Sequence, residues 1–179
     1  MTRLLKAVTV IVTIAYPFMV YWGLQHYPAS RLLPLLLLLL ALRWFAGNRP
    51  GERRILIAIL LAVLVVAFTF GHQPGLKFYP ALVNLGFLLL FGASLLSPPS
   101  FVERLARLRD PHLPDAAVAY TNRVTWAWTI FFAMNGSVAA ITALWASDEV
   151  WMLYNGFIAY LLIGLLAGGE WLLRRRVLH

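Results

Sequence analysis

Polar residues inside long apolar segments are the first candidates for chemistry in this chain. Glu170 is the one acidic residue within such a segment, with Arg174 four residues later and Arg123 at the same depth on the preceding segment. An ionisable group in hydrocarbon is costly and needs a partner. Glu170 is interpreted as an i,i+4 pair with Arg174, as a tie to Arg123, or as a carboxylate that binds a proton or a substrate.

Three asparagines lie deeper in the apolar segments. They are Asn84, Asn135 and Asn155, and Trp128 lies on the same segment as Asn135. An amide side chain in a membrane can join two helices by hydrogen bonds. The asparagines therefore predict either such bonds between helices or one polar groove that they line together with Trp128.

A stripe of small residues marks the last apolar segment. Gly156, Gly164 and Gly168 share one helical face, and the last two are four residues apart. Small residues let two helix backbones approach closely in a membrane. The stripe predicts that the fifth segment packs on the sixth, and a homodimer is the alternative.

Composition makes the chain a membrane protein. Of its 179 residues 61% are hydrophobic and 12% are charged, which is far from a typical soluble domain. The chain has no cysteine, and its four histidines are scattered without ligand spacing, so we expect no metal and no cofactor. No nucleophile with an activating base is found, so an enzyme is not expected.

Six apolar segments predict an all-α protein with six transmembrane helices in a single domain. The segments are 4–22, 30–45, 55–70, 78–96, 123–145 and 150–173. A helix needs about 17–25 residues to cross a bilayer. The chain therefore has room for these crossings and short connections.

The basic residues predict the orientation of these helices. Arg31 and Lys77 fall on one face of the membrane, and the other thirteen of the fifteen Lys and Arg residues fall on the opposite face: Arg3, Lys6, Arg43, Arg49, Arg53, Arg54, Arg104, Arg107, Arg109, Arg123, Arg174, Arg175 and Arg176. Because Lys and Arg in short loops stay in the cytoplasm, both termini are predicted to be cytoplasmic. The net charge of +8 flanks apolar spans, which favours lipid headgroups over nucleic acid as its partner.

The connection 97–122 contains a predicted amphipathic helix near 100–109. Apolar residues recur there at helical spacing, Arg104 and Arg107 lie on the opposite side, and Ser100 with Glu103 predicts a capping box. Such a helix is expected in the headgroup plane, with its arginines near phosphates. It is interpreted as a docking surface for a partner or a lipid, or as an interfacial strut.

The stretch 40–176 resembles the intracellular septation protein A (YciB) family of bacterial inner-membrane proteins. The residues that carry the resemblance are His72, Lys77, Phe78, Pro80, Ser97, Pro98, Pro99, Glu103, Arg104, Leu113, Pro114, Trp128, Phe131, Phe132, Trp151, Tyr154, Phe157 and the basic terminus after Trp171. The chain departs from the family at Tyr79 and Asn155, where lysine is typical, so a role of those charges does not transfer. The chain is also similar to membrane proteins encoded in gene clusters for acyl or aryl polyene lipids.

Three functions follow as hypotheses. The first, implied by the resemblance, is a non-enzymatic inner-membrane component of the envelope or septation machinery, with a protein partner on the cytoplasmic side. The second is an accessory to synthesis or export of an acyl or aryl polyene lipid, with a laterally open groove. The third is a small proton-linked transporter that uses Glu170 and Arg123, which ranks last because no internal repeat is visible.

Overall fold

The structure is a computed structural model that describes residues 3–46 and 50–177, and every regular element within them is helical. The helices are α1 (Arg3–His26), α2 (Ala29–Ala46), α3 (Pro50–Phe70), α4 (His72–Lys77), α5 (Tyr79–Leu96), α6 (Phe101–Arg107), α7 (Asp115–Trp145), α8 (Asp148–Leu153) and α9 (Ala159–Val177). A π-helical turn, Tyr154–Ile158, joins α8 to α9. The predicted all-α class is confirmed for this part of the chain.

Three helical segments in the described residues are long and apolar enough to cross a membrane. They are Tyr79–Leu96, Asp115–Trp145 and Asp148–Arg175. Two shorter apolar helices, Ala29–Leu38 and Ile57–Phe70, lie within α2 and α3. The chain is therefore a membrane protein by the length and composition of its helices, and six crossings remain a prediction.

Several helices begin before the predicted segments. The fifth segment was expected from residue 123, but α7 begins at Asp115, directly after the extended Pro114. The additional residues are rich in alanine, which favours helix. With 31 residues, α7 is about 46 Å long, so it extends beyond a hydrocarbon core of about 30 Å. The fourth segment corresponds to α5, and the short helix α4 precedes it.

The main partner of α7 is α5. Gly136 permits this close approach, because a Cβ atom there would lie 2.9 Å from the Cβ of Asn84. Further along the same interface, Phe91 packs against Trp128 and Phe132, with ring centroids 6.5 and 5.2 Å apart. The predicted contact of α7 with the sixth segment is also present, through α8, the π-helical turn and the hydrogen bond from Tyr120 to Glu170 of α9, but α5 is the larger partner.

A second cluster joins the first four helices to the start of α8. Tyr16, Leu36, Val63, Leu76 and Trp151 are buried together in it. The Tyr16 hydroxyl donates to the Leu76 carbonyl over 2.9 Å. Through this cluster, α1 contacts α8 and the π-helical turn, which lie near the other end of the chain.

The glycine stripe on the last helix divides into two parts. At Gly156 a Cβ atom would lie 3.0 Å from the Phe18 ring, so this glycine does mark close packing, against α1. At Gly164 and Gly168 a Cβ atom would meet nothing within 4 Å. The prediction that these two glycines pack against α7 is wrong, because their side of α9 faces away from the described helices.

Candidate functional site

The predicted polar residues of α5 and α7 form a ladder of hydrogen bonds. The Asn135 side-chain amide donates to Asn84 Oδ1 over 3.0 Å, and the Tyr154 hydroxyl donates to Asn135 Oδ1 over 2.9 Å. Asn84 in turn donates to the Pro80 carbonyl of its own helix. These hydrogen bonds join α5, α7 and the π-helical turn to one another.

The other two members of the predicted groove lie apart from this ladder. The buried Asn155 donates to Thr142 Oγ1 over 3.2 Å and to the Trp151 carbonyl over 2.9 Å. Trp128 packs in the aromatic cluster with Phe91 and Phe132. The structure thus joins Asn84 and Asn135 by a direct hydrogen bond, whereas Asn155 and Trp128 have other partners.

A largely buried ion pair, which the sequence did not indicate, joins α4 to α8. Lys77 Nζ lies 3.1 Å from Asp148 Oδ1, with the two side chains 6% and 30% exposed. Lys77 also donates to the Ala146 carbonyl, and Gln73 donates to Asp148. The indole of the fully buried Trp151 donates to the Lys77 carbonyl over 3.0 Å. These contacts fix the start of α8 against α4.

The connection between α5 and α7 is bonded to the bundle through α6. The Thr125 hydroxyl lies 3.2 Å from Ser100 Oγ, and the Phe101 amide donates to Ser94 Oγ. Ser100 precedes α6 but makes no side-chain cap bond, so the predicted capping box is wrong. Glu103 is buried and pairs instead with Arg107 at 2.7 Å.

The arginines of α6 have internal partners. Arg104 donates to the Pro99 and Ser97 carbonyls over 2.6 and 2.8 Å. Arg107 donates to the Pro111 carbonyl in addition to its pair with Glu103. Arg104 also borders a cavity of about 510 Å³ between α3 and α5. Arg104 and Arg107, which were predicted to face lipid phosphates, therefore bind carbonyl groups of the connection between α5 and α7.

Two adjoining cavities, each about 680 Å³, open between α7 and α9, and we call them together the α7–α9 cleft. Both are lined by Tyr120, Val124, Trp128 and Glu170. The first also has Arg123 and apolar residues of α9 in its wall, and the second has residues of the connection 97–114. Each cavity is within the size range of small-molecule sites, about 300–1,000 Å³.

The α7–α9 cleft opens sideways on the surface of the bundle. Leu165 and Leu173 both line the first cavity, yet they are 63% and 58% exposed. The cavity is open and not enclosed, and both leucines present apolar surface beside it. Leu165 belongs to the segment Asp148–Arg175, which is long and apolar enough to span a membrane, so the opening lies along an apolar side of the bundle.

The predicted charged group lies at one end of the α7–α9 cleft. The Tyr120 hydroxyl donates to the Glu170 carbonyl over 3.1 Å and is 3.4 Å from Glu170 Oε1. Arg174 Nε lies 3.8 Å from the same carboxylate oxygen, as expected for an i,i+4 pair. Arg123 lines the cleft with Glu170, but among the described residues the two form no ion pair within 4.0 Å. Tyr120 was not among the residues predicted from the sequence, because a tyrosine outside the predicted span gives no signal of its partner.

The α7–α9 cleft has apolar side chains along its walls and charged side chains at one end, which we call its mouth. Val124, Trp128 and Leu165 line the walls, while Arg109 and Arg174 border the second cavity. No group of three or more histidine, aspartate or glutamate residues in the described part of the chain is placed to hold a metal ion. This arrangement can accommodate an amphipathic molecule, with its chain between the helices and its polar end at the arginines.

No protein-family model, curated protein or solved structure matches this chain. The function of the cleft is therefore inferred from its geometry.

Proposed function

We propose that this chain is a six-span, non-enzymatic protein of the bacterial inner membrane that binds an acyl or polyene lipid in the α7–α9 cleft. The observation that carries the proposal is the lateral opening of an apolar cleft at Leu165 and Leu173. A hydrocarbon chain can enter such a cleft from the bilayer without crossing water. Because the chain comes from bilayer hydrocarbon and not from water, van der Waals packing against the cleft walls, and not the hydrophobic effect, would favour its binding.

The proposal places the basic end of the bundle in the cytoplasm. Arg109, Arg123 and Arg174 lie at that end together with Arg104 and Arg107. The positive-inside tendency of short loops supports this orientation and cytoplasmic termini. The bound lipid would then have its polar end in the inner leaflet, where an enzyme of lipid synthesis could deliver or receive it.

The proposal is tested by filling the cleft. Ala127 lines its first cavity, whereas the exposed Ala167 on α9 lines neither cavity. Wild type, Ala127→Phe and Ala167→Phe are extracted gently from their own membrane, and the retained lipids are identified by native mass spectrometry. We expect wild type and Ala167→Phe to retain the same acyl lipid and Ala127→Phe to lose it. Equal lipid retention in all three proteins would reject the cleft as a lipid site.

A second candidate is a component of the envelope or septation machinery that docks a protein at α6. The observation in its favour is that Leu105 and Leu108 are 51% and 79% exposed beside the ordered connection. Substitution of both leucines by serine would then release a partner that co-purifies with the wild type. Retention of that partner by the serine variant would reject docking at α6.

A further inference from the structure

The arginines at the basic end of the bundle fall into two groups. Arg104, Arg107 and Arg175 have partners: backbone carbonyls, Glu103, and the Trp171 ring at 3.6 Å from the guanidinium carbon. Within the described residues, Arg109 and Arg123 make no side-chain hydrogen bond or ion pair. Arg109 borders the second cavity of the α7–α9 cleft and Arg123 the first, with Tyr120 in the wall of both, whereas Arg174, which also borders the second cavity, is paired with Glu170.

The acidic residues at the cleft mouth form no ion pair with these two arginines. Glu170 accepts from Tyr120 and lies 3.8 Å from Arg174. Asp110 accepts a hydrogen bond from the His112 backbone amide over 3.1 Å. In the described part of the chain neither carboxylate lies within 4.0 Å of the Arg109 or Arg123 guanidinium, so both groups are left as donors.

A guanidinium group recognises a particular class of ligand. Its planar donors match the two oxygens of a carboxylate or a phosphate, and these charge-assisted bonds are stronger than neutral ones. An acyl chain between α7 and α9 would bring its headgroup to the level of Arg123, because Arg123 borders the same cavity as Leu165. A neutral headgroup would leave both arginines without an anionic partner.

We infer that the lipid held in the α7–α9 cleft has an anionic headgroup, a phosphate or a carboxylate, which Arg109 and Arg123 bind at the cleft mouth. This inference rests on the proposed lipid-binding function and specifies the chemistry of its ligand. The headgroup would lie beside Tyr120, and Glu170 would hold Tyr120 in place from α9. The same arginines could also take a free phosphate ion, which the experiment must separate from the lipid.

The test compares two lipids with identical acyl chains. The affinities of phosphatidylglycerol and of diacylglycerol, which has no phosphate, for the detergent-solubilised full chain are measured by native mass spectrometry. We expect phosphatidylglycerol to bind about tenfold more tightly, the factor that one charge-assisted hydrogen bond contributes. In Arg109→Gln/Arg123→Gln that preference should vanish while diacylglycerol binding is unchanged. Arg175→Gln, which removes the same charge from the same end of the bundle, should retain the preference.

The outcomes separate this inference from the function on which it rests. Equal affinities of the wild type for the two lipids, or a preference that persists in the double variant, would overturn the anionic headgroup while leaving lipid binding intact. Failure of both lipids to bind the wild type would reject the proposed function. Displacement of phosphatidylglycerol by millimolar inorganic phosphate, with no effect of Ala127→Phe, would indicate an anion site without an acyl chain and would also overturn the inference.

Discussion

Lys77 was expected at the membrane interface, but its side chain is only 6% exposed. Its ammonium group is buried, and Asp148 is its one anionic partner among the described residues. A buried charge that loses its partner keeps its desolvation cost. The stability of this end of the bundle therefore depends on Asp148.

Asp148→Asn is expected to lower the free energy of unfolding by about 1–3 kcal/mol, because Lys77 would be left with neutral acceptors only. The value lies at the low end for ion pairs because Asp148 is 30% exposed. Thermal unfolding in detergent measures the change. Glu149→Gln removes the same charge from the neighbouring exposed position, which forms no ion pair with Lys77 within 4.0 Å, and should lower the melting temperature less. Equal melting temperatures for both variants would contradict a stabilising role of the pair.

Asn84 and Asn135 are predicted to be energetically coupled. In a double-mutant cycle of Asn84→Ala and Asn135→Ala, we expect a coupling energy of about 0.5–1 kcal/mol, which is typical of hydrogen bonds between membrane helices. The same cycle with Asn84→Ala and Asn155→Ala is the control, because Asn155 bonds to Thr142 and not to Asn84. A coupling that is as large in the control would mean that the effect does not arise from the hydrogen bond.

For individual side chains, the sequence identifies the polar residues but not their hydrogen-bond or ion-pair partners. Asn84, Asn135 and Glu170 are visible because polar groups are rare in apolar segments. Lys77 gives no such signal, since it flanks a span and its partner lies 71 residues away. The partner depends on how α4 and α8 pack, and no local pattern encodes that packing.

Among the described helices, α6 carries the one buried carboxylate, Glu103, and its i,i+4 pair with Arg107 stabilises this short helix. Glu103→Gln would replace a charge-assisted bond to Arg107 by a neutral one and weaken it by about 1 kcal/mol. Amide hydrogen exchange of Phe101–Arg107 should then be about fivefold faster. Asp110→Asn, an acid-to-amide change in the exposed part of the same connection, should leave α6 unchanged. Unaltered exchange in Glu103→Gln would show that the buried carboxylate does not hold α6.

The helices were predictable because apolar runs end at proline and polar residues. Pro98 and Pro99 follow α5, and Pro114 precedes α7. Helix pairing was less predictable, since small residues occur on several helices. The close approach of α5 and α7 uses Gly136, whereas Gly164 and Gly168, which make the clearer pattern, have no neighbour in the described structure. Small residues at this spacing permit two helix backbones to approach closely. Whether they do so depends on the side chains of the facing helix.

For the whole molecule, the proposed orientation can be tested with single cysteines because the chain has none of its own. Gln25 at the end of α1 and His112 between α6 and α7 are both exposed. We expect a membrane-impermeant maleimide to label Gln25→Cys in intact spheroplasts and His112→Cys only after permeabilisation. The reverse pattern would contradict cytoplasmic termini, and labelling of both sites in intact cells would contradict the predicted number of crossings.

The contact between α1 and the π-helical turn also has a consequence in time. The chain leaves the ribosome from its N-terminus, so α1 is complete at His26, while its neighbour Tyr154–Ile158 is synthesised 132 residues later. At about 5–20 residues per second, this delay is about 7–26 s. During that interval other groups must cover the face of α1 that this turn later buries. Of the described helices, α1 is thus synthesised first but is among the last to reach its final neighbours.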